Sequence, residues 1–254
     1  MALVISLAGK VAVVTGSSRG LGRAIALKLA EAGLRGLAIN YVAHREAAEK
    51  TAQEIQRVGT ETLVVQADVS QVAGVQDLLA SVEHAWGRLD ILINNAGVCY
   101  RGNIWDESEE QFDKTILTNL RSTFLCMKYA ANIMKTQGSG AIVNIASTAG
   151  LTGGTMGPAY GAAKGGVIAL SKHAARTLAP FGIRVNAVAP GYIETDMLAS
   201  LFQDPALRAQ RWAAIPLGRA AQPEEIANVV AFLVSDLASY ITGDVVLASG
   251  GRIA

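Results

Sequence analysis

Short runs of apolar, often β-branched residues alternate along this chain with longer amphipathic segments. Such runs are typical of buried strands, whereas apolar positions that recur every three or four residues predict helices. On this pattern the predicted strands lie at 11–15, 36–41, 62–66, 89–93, 141–146, 183–188 and 244–247. The predicted helices lie at 23–32, 47–58, 72–86, 109–135, 160–178 and 223–235.

The alternation of strands and helices predicts the fold class. Parallel strands need a crossover connection, which is usually a helix, and these helices cover both faces of the sheet. We therefore expect an α/β protein with a doubly wound parallel sheet in a three-layer α/β/α arrangement. At 254 residues the chain is short enough to form a single domain over 1–254.

One stretch departs from this alternation. From about 192 to 216 the sequence loses sheet character, and we expect its apolar residues Leu198, Leu201, Phe202 and Trp212 to be exposed. The stretch follows a strand end, where a closing loop can cover a ligand. We interpret this insert as a substrate lid.

Composition narrows the class of partner. Hydrophobic residues make up 51% of the chain and charged residues 17%, which suits a filled globular core. The formal net charge is +1 without a long single-sign run, so neither nucleic acid nor a membrane is an expected partner. No apolar run reaches the roughly 18 residues of a membrane span, and no signal peptide is recognised. We expect a cytoplasmic protein, and the isolated cysteines and histidines predict no metal site.

The first candidate site is a glycine-rich turn between the first strand and the first helix. It reads T-G-S-S-R-G-L-G over 15–22. Glycines at such a junction let the backbone approach a pyrophosphate, whose charge is met by the N-terminus of the following helix. The spacing differs from the commoner G-x-G-x-x-G, so the prediction of a dinucleotide site rests on the position between strand and helix.

The end of the second strand bears on the choice of dinucleotide. An NAD site usually has Asp or Glu there, to bind the ribose 2′-hydroxyl. Asn40 and Tyr41 occupy that place, and the basic residues Arg19, His44 and Arg45 are available nearby. A 2′-phosphate would be accommodated rather than repelled, so we predict NADP(H) rather than NAD(H). Arg45 is explained equally well as a solvated surface charge.

Polar and glycine-rich motifs follow several predicted strands at the same end. These motifs are 16–22, Asp68, 94–97 and Ser147. Ligands of open parallel sheets bind beyond the carboxyl ends of the strands. One crevice should therefore collect these motifs.

The stretch from Ser147 to Lys164 carries the candidate chemistry. Ser147 precedes Tyr160 by thirteen residues, and Lys164 follows Tyr160 by four. If Tyr160 opens a helix, the spacing puts Tyr160 and Lys164 on one face. A free phenol has a pKa of about 10, and a nearby ammonium would lower this pKa so that proton transfer becomes feasible near neutral pH. Y-x-x-x-K alone is more often a pair of neighbours on an amphipathic helix, so the surrounding motifs must decide.

These motifs occur together in one known family. T-G-x-x-x-G-x-G at 15–22, N-N-A-G at 94–97, and then Ser147, Tyr160 and Lys164 resemble the short-chain dehydrogenase/reductase family, which has a Rossmann fold. The similarity runs from about residue 7 to residue 251. The resemblance implies an oxidoreductase that transfers a hydride between a nicotinamide cofactor and a ketone or secondary alcohol.

The resemblance also implies a role for each matched residue. Tyr160 would donate a proton to the substrate oxygen in reduction, Lys164 would lower the pKa of Tyr160 and bind the nicotinamide ribose, and Ser147 would hold the carbonyl. Asn119 would position a water that links Lys164 to solvent. The implied cofactor-binding residues are Gly16, Ser18, Arg19, Gly20, Leu21, Asn40, Tyr41, Asp68, Val69, Asn95, Ala96, Gly97, Tyr160, Lys164, Pro190, Gly191, Ile193 and Thr195.

Members of this family commonly form tetramers through two long helices. The resemblance therefore implies a homotetramer, with 109–135 and 160–178 as interface candidates. The expected partners are further copies of this chain and a small-molecule carbonyl or alcohol substrate.

Within the family, the spacing of Tyr160 and Lys164 favours carbonyl chemistry, because enoyl reductases of this fold typically space these residues more widely. The chain resembles the branch that includes 3-oxoacyl-[acyl-carrier-protein] reductases. Basic residues expected for an acidic carrier protein are nevertheless missing at 137–140 and 181–182. We therefore predict an NADP(H)-dependent ketone reductase or alcohol dehydrogenase. The alternative is a 3-oxoacyl-[acyl-carrier-protein] reductase, and a more remote one is a non-catalytic nucleotide-binding scaffold.

The substrate side of the site is less well defined. Core packing or surface exposure would explain most of its candidate residues equally well. These candidates are Tyr100, Arg101, Gly154, Met156, Tyr192, Leu198 and Trp212.

Overall fold

Seven parallel strands form one sheet in a computed structural model that describes residues 4–198 and 204–252. Their order across the sheet is β3-β2-β1-β4-β5-β6-β7. The strands are β1 (Val11–Val14), β2 (Gly36–Tyr41), β3 (Glu61–Gln66), β4 (Ile91–Asn94), β5 (Gly140–Ile145), β6 (Ile183–Pro190) and β7 (Val245–Ala248).

Helices connect the strands, as the sequence pattern predicts. Within the two described ranges, none of them is long and apolar enough to cross a membrane. The helices are α1 (Gly20–Glu31), α2 (Arg45–Gln56), α3 (Val72–Trp86), α4 (Glu109–Ile116), α5 (Ser122–Gln137), α6 (Ala149–Thr152), α7 (Pro158–Leu178), α8 (Pro205–Ala213) and α9 (Pro223–Val234).

The core lies on both faces of the sheet. Successive side chains of a strand point to opposite faces, so Val11 and Val13 pack with residues of α3, α5 and α7. Ala12 and Val14 pack with residues of α1, α2 and α9 on the other face. Burial on both faces explains why the inner strands are continuous apolar runs. The prediction of a doubly wound α/β sheet is confirmed.

The strand order creates a place for a ligand. β2 and β3 lie on one side of β1, whereas β4 to β7 lie on the other. The loops that leave the carboxyl ends of β1 and β4 therefore diverge toward opposite sides of the sheet. In doubly wound folds, this switch point opens the crevice in which ligands bind.

The helical stretch predicted at 109–135 is confirmed, but it is not one regular α-helix. The chain forms α4, then a π-helical turn at Leu117–Arg121, and then α5. A π-helical turn changes the rotation of the chain without interrupting the helical pattern of apolar residues, so the sequence did not reveal it. The turn carries Asn119, which is buried with only 1% of its surface exposed.

The insert at 192–216 holds more structure than expected. It contains α8, and the prediction that Leu198 is exposed is wrong because Leu198 packs in a cluster with Tyr192 and Ile215. Trp212 is half-buried against the same cluster. Leu201 and Phe202, which were predicted to be exposed, lie outside the described residues.

Candidate active site

A cavity of about 670 Å³ opens at the carboxyl ends of the central strands. Its volume is in the range of small-molecule and cofactor sites, roughly 300–1,000 Å³. The glycine motif, the N-N-A-G motif and the Ser147–Lys164 stretch meet there. The predicted site residues that line it are Gly16, Ser18, Arg19, Gly20, Leu21, Asn95, Ala96, Gly97, Asn119, Ser147, Tyr160, Lys164, Pro190, Gly191, Ile193 and Thr195.

The glycine motif forms one end of this cavity as a cradle with little room for side chains. Gly16 and Gly20 have φ angles of +62° and +55°, which glycine adopts far more easily than other residues. A Cβ on Gly22 would lie 2.3 Å from the carbonyl oxygen of Gly16. α1 begins at Gly20, and neither a side-chain cap nor an acidic residue occupies its first turn. Free N–H groups at a helix N-terminus fit the pyrophosphate of a dinucleotide.

Two predicted cofactor residues at the end of β2 do not line the cavity. The Asn40 Oδ1 atom accepts a hydrogen bond from the Gly16 N–H at 3.1 Å, and its Nδ2 atom donates to the Ala67 carbonyl at 2.9 Å. The Tyr41 side chain is buried in the core. Asn40 therefore supports the glycine cradle from below, because both ends of its amide are already paired with the backbone.

Asp68 and Val69, which follow β3, are also absent from the lining. The Asp68 carboxylate accepts a hydrogen bond from the Ser70 N–H at 2.9 Å, and Val69 is 3% exposed. Their assignment to the cofactor stays a prediction.

The other side of the glycine cradle is basic. Arg19 and His44 line the cavity beside Val42 and Ala43. The Arg19 side chain is 58% exposed, and its Nη1 atom lies 3.9 Å from the Asp196 carboxylate. Arg45, in contrast, pairs with Glu49 at 2.8 Å on the surface of α2, so the structure favours its interpretation as a surface charge.

Tyr160 enters the cavity from the first turn of α7. That turn is fixed by Glu107, whose carboxylate accepts a hydrogen bond from the Ala159 N–H at 3.0 Å. The pKa of Tyr160 is raised to about 12, mainly by burial and to a lesser extent by Cys99, against a lowering by a hydrogen bond with the Ser147 side chain. The net shift is upward because desolvation of the phenolate dominates, and a lowering contribution from Lys164 stays a prediction.

Lys164 lies one helical turn after Tyr160 and is buried, with 4% of its surface exposed. Its Nζ atom donates a hydrogen bond of 2.6 Å to the carbonyl oxygen of Ile145 at the end of β5 and lies 5.8 Å from the Tyr160 ring centroid. Burial lowers the pKa of Lys164 to about 8. The spacing of four residues thus does place Tyr160 and Lys164 on one face, as predicted.

Asn119 closes the floor of the cavity from the π-helical turn. Its Oδ1 atom accepts from the Val98 N–H at 2.9 Å, and its Nδ2 atom donates to the Val98 carbonyl at 2.8 Å. A Cβ on Gly97 would lie 2.5 Å from Asn119 Oδ1, so glycine is needed for this approach. The amide of Asn119 therefore anchors the loop after β4.

A buried polar network supports the site from beneath. Asn94 donates to the Asn144 Oδ1 atom at 2.7 Å, and Asn144 donates to the Ser171 Oγ atom at 2.8 Å. These side chains join β4, β5 and α7. Because a buried polar group without a partner is costly, the network fixes how α7 lies on the sheet and hence where Lys164 reaches β5.

The substrate side of the cavity contains most of its predicted residues and several that sequence reasoning missed. Tyr100, Gly154, Met156, Tyr192 and Leu198 line it, whereas Arg101 and Trp212 do not. No motif in the sequence marks the missed residues, which come from the loop after β4, from the π-helical turn and from the end of the chain. They are Val98, Cys99, Thr118 and Arg252.

A glycine cradle, a half-buried Ser and Tyr, and a buried Lys at the switch point of a parallel sheet define an oxidoreductase of the Rossmann class. The comparison with known families agrees. The chain belongs to the short-chain dehydrogenase/reductase family, and a family model described as Enoyl-(Acyl carrier protein) reductase matches residues 16–252.

Individual relatives extend this similarity over the whole chain. The chain is 44% identical over 242 residues to the 3-oxoacyl-[acyl-carrier-protein] reductase FabG of Staphylococcus aureus, covering 95% of this chain and 97% of the relative. It is similar to the crystal structure of levodione reductase, with a TM-score of 0.92, 36% identity, and coverage of 97% and 98%. A short-chain type dehydrogenase/reductase from Mycobacterium marinum has a TM-score of 0.91 at 35% identity, with coverage of 98% and 97%.

We predict that Lys164→Met raises the thermal stability of the protein at pH 7. The pKa of Lys164 lies near 8 in the folded protein against an ordinary value of 10.5, so below pH 8 the fold carries a buried charge that the unfolded chain exposes to water. The stability of the wild type should rise as the pH increases from about 8 to 10.5, because the folded protein loses the Lys164 charge first. The difference in stability between Lys164→Met and the wild type should therefore become smaller over this range. Calorimetry should show that the melting temperature of Lys164→Met exceeds that of the wild type by about 2 °C or more at pH 7 but not at pH 10.

The matched control is Lys172→Met, because Lys172 is exposed on the same helix. Its melting temperature should follow that of the wild type at both pH values. A Lys164→Met variant that is less stable than the wild type at pH 7 would contradict the prediction.

Proposed function

We propose that this chain reduces a ketone, or oxidises the corresponding secondary alcohol, with NADP(H). The observation that carries the proposal is that Ser147, Tyr160 and Lys164 line one cavity with the glycine cradle. The spacing of four residues between Tyr160 and Lys164 supports carbonyl rather than enoyl chemistry. The matching family model is described as an enoyl reductase, but we base the reaction class on the spacing of Tyr160 and Lys164.

Tyr160 acts as the general acid in the proposed reduction. Its phenol is protonated throughout the neutral range, because burial holds its pKa at about 12. Ser147, which is hydrogen-bonded to Tyr160, binds the substrate oxygen beside it. Bound NADPH supplies the hydride that reaches the substrate carbon. As negative charge develops on the substrate oxygen, Tyr160 transfers its proton to that oxygen.

Lys164 stabilises the phenolate that remains on Tyr160. Its ammonium lies on the same helix face, and an opposite charge in a buried site acts strongly. The proposed return of the proton passes by Asn119. Since the Asn119 amide is paired with Val98 at both ends, we assign the positioning of a water to its main-chain carbonyl, which also accepts a hydrogen bond of 2.9 Å from the Thr123 hydroxyl.

Two features support the choice of NADP(H). No Asp or Glu follows β2 directly, and Arg19 and His44 line the cavity at that side. A guanidinium beside the adenosine ribose attracts a 2′-phosphate. Asp196 is the carboxylate that faces Arg19, and its distance of 3.9 Å leaves the guanidinium able to bind an anion as well.

The proposal also includes a single catalytic domain with a lid at about 192–216, and a homotetramer built through α4, α5 and α7. Phe112, Leu117 and Phe124 expose 43%, 38% and 46% of their surfaces on this part of the chain. Large apolar side chains exposed together are typical of a subunit interface.

A 3-oxoacyl-[acyl-carrier-protein] reductase is the second candidate, and the 44% identity to FabG favours it. Lys135 is a basic residue near 137–140 and 181–182, the two places where a carrier protein would need a cation. The Lys135 Nζ atom lies 4.3 Å from the Phe181 ring centroid, at the junction of α5 and the loop before β6. Comparing a carrier-bound 3-oxoacyl chain with the free ketone separates the two candidates.

We predict that Tyr160→Phe lowers kcat for ketone reduction by about 100-fold or more, because positioned general acids contribute roughly 10²–10⁴-fold. The Kd for NADPH, measured by fluorescence titration, should change little, since the ring that packs in the site remains. Retention of most of the activity by Tyr160→Phe would refute the proposed mechanism.

We predict that kcat/KM is higher with NADPH than with NADH, and that Arg19→Ala reduces this preference by about tenfold or more, because a charge-assisted hydrogen bond is worth roughly 1.5–3 kcal/mol. The loss should appear in the KM for NADPH and not in that for NADH. Arg45→Ala is the matched control, because Arg45 is paired with Glu49. A wild-type preference for NADH would overturn the assignment of the cofactor.

A further inference from the structure

Arg252 lines the cavity but has no part in the proposed proton transfer. It follows β7 on a tight turn, in which Gly250 and Gly251 have φ angles of +64° and +83°. A Cβ on Gly251 would lie 2.9 Å from Pro216, so this turn is packed against the end of the insert. The turn brings the Arg252 guanidinium carbon to 4.5 Å from the ring centroid of Tyr192.

A second guanidinium meets the same tyrosine. Arg211 on α8 donates a hydrogen bond of 2.7 Å from Nη1 to the Tyr192 hydroxyl. Its Nε atom is buried and has no hydrogen-bond partner within the described ranges. Tyr192 itself lines the cavity, so Arg211 and Arg252 both contact the same cavity-lining side chain.

Neither guanidinium is neutralised by the protein's acidic side chains. All 21 Asp and Glu residues lie within the described ranges, and none of them forms an ion pair with Arg211 or Arg252. Arg219, which lies between them in sequence, is in contrast paired with Glu225 at 2.6 Å. A cation held against an aromatic face in a partly buried site gains strongly from an anion beside it.

The surroundings of this pair are apolar. Tyr192 and Leu198 pack in a cluster with Ile215, and Met156 lies against it. Met156, Tyr192 and Leu198 also line the cavity, so an apolar wall lies next to the Arg252 guanidinium. An aliphatic chain with an anionic end suits this combination.

We propose that Arg252, supported by Arg211 through Tyr192, binds a carboxylate of the substrate, so that the enzyme acts on oxo acids or hydroxy acids. The inference rests on the proposed function, because it names the substrate class for the same cavity. A planar guanidinium matches a carboxylate with two parallel hydrogen bonds, which also fixes the orientation of the substrate.

The test compares levulinate and its next two longer homologues with their methyl esters, using NADPH as reductant. Each ester keeps the ketone and the chain but removes the charge. For at least one chain length, wild-type kcat/KM should be about tenfold or more higher for the acid than for its ester, as expected for a hydrogen bond to a charged group. Arg252→Met should abolish that preference by raising the KM for the acid, and Arg252→Lys should retain part of it.

The matched control is Arg57→Met, because Arg57 is exposed at the end of α2, away from the cavity. Its acid-to-ester ratio should equal that of the wild type. The KM for NADPH should also be unchanged in Arg252→Met. A selective rise in that KM would assign Arg252 to a cofactor phosphate and overturn the inference.

Two further outcomes separate the inference from the proposed function. Reduction of acids and esters with equal kcat/KM by the wild type, or an equal loss for both in Arg252→Met, overturns the inference and leaves the ketone reductase intact. Absence of turnover with every ketone overturns the proposed function, and the inference falls with it.

Discussion

The ammonium of Lys164 is buried in the wall of the cavity and donates a hydrogen bond of 2.6 Å to the carbonyl oxygen of Ile145. Burying a charged amine costs free energy, and burial lowers the pKa of Lys164 to about 8. The large apolar core on both faces of the sheet supplies the stability that offsets this cost. We therefore expect the fold to be more stable without this side chain, a trade of stability for activity that is typical of functional positions.

The surroundings of Lys164 show how the chain holds it. The network of Asn94, Asn144 and Ser171 joins α7 to two central strands, and Asn144 directly precedes the carbonyl group that accepts from Lys164. Glu107 fixes the N-terminus of the same helix. Both ends of the segment that carries Tyr160 and Lys164 are therefore attached to the sheet and to the loop after β4. Rigid support of this kind sets the geometry for proton transfer before any substrate binds.

Local patterns explain how much could be predicted from the sequence. Apolar periodicity predicted the sheet and its helices, and the spacing of Tyr160 and Lys164 predicted their common helix face. The π-helical turn around Asn119 was missed because it preserves the helical pattern on either side. The net rise in the pKa of Tyr160 was not foreseen, because sequence spacing indicates a neighbouring charge but not the desolvation of the phenol.

Local patterns also failed to predict part of the substrate side of the cavity. Arg252 reaches the cavity from a turn near the end of the chain, and its position depends on packing between that turn and Pro216. Packing between segments that are distant in sequence leaves no local motif, so the sequence did not mark Arg252 as a residue of the cavity. Arg211 and Tyr192 are likewise brought together by the insert, in which the sequence pattern predicted only a loss of sheet character.

The state of Lys164 tests this account most directly. Heteronuclear NMR titration of protein labelled with ¹⁵N-lysine, with Lys164→Met used to assign the signal, measures the pKa of this one ammonium group. We expect a midpoint of about 8 for Lys164, well below the ordinary value of 10.5. A midpoint at or above that ordinary value would contradict the claim that the site is organised around a buried, destabilising charge.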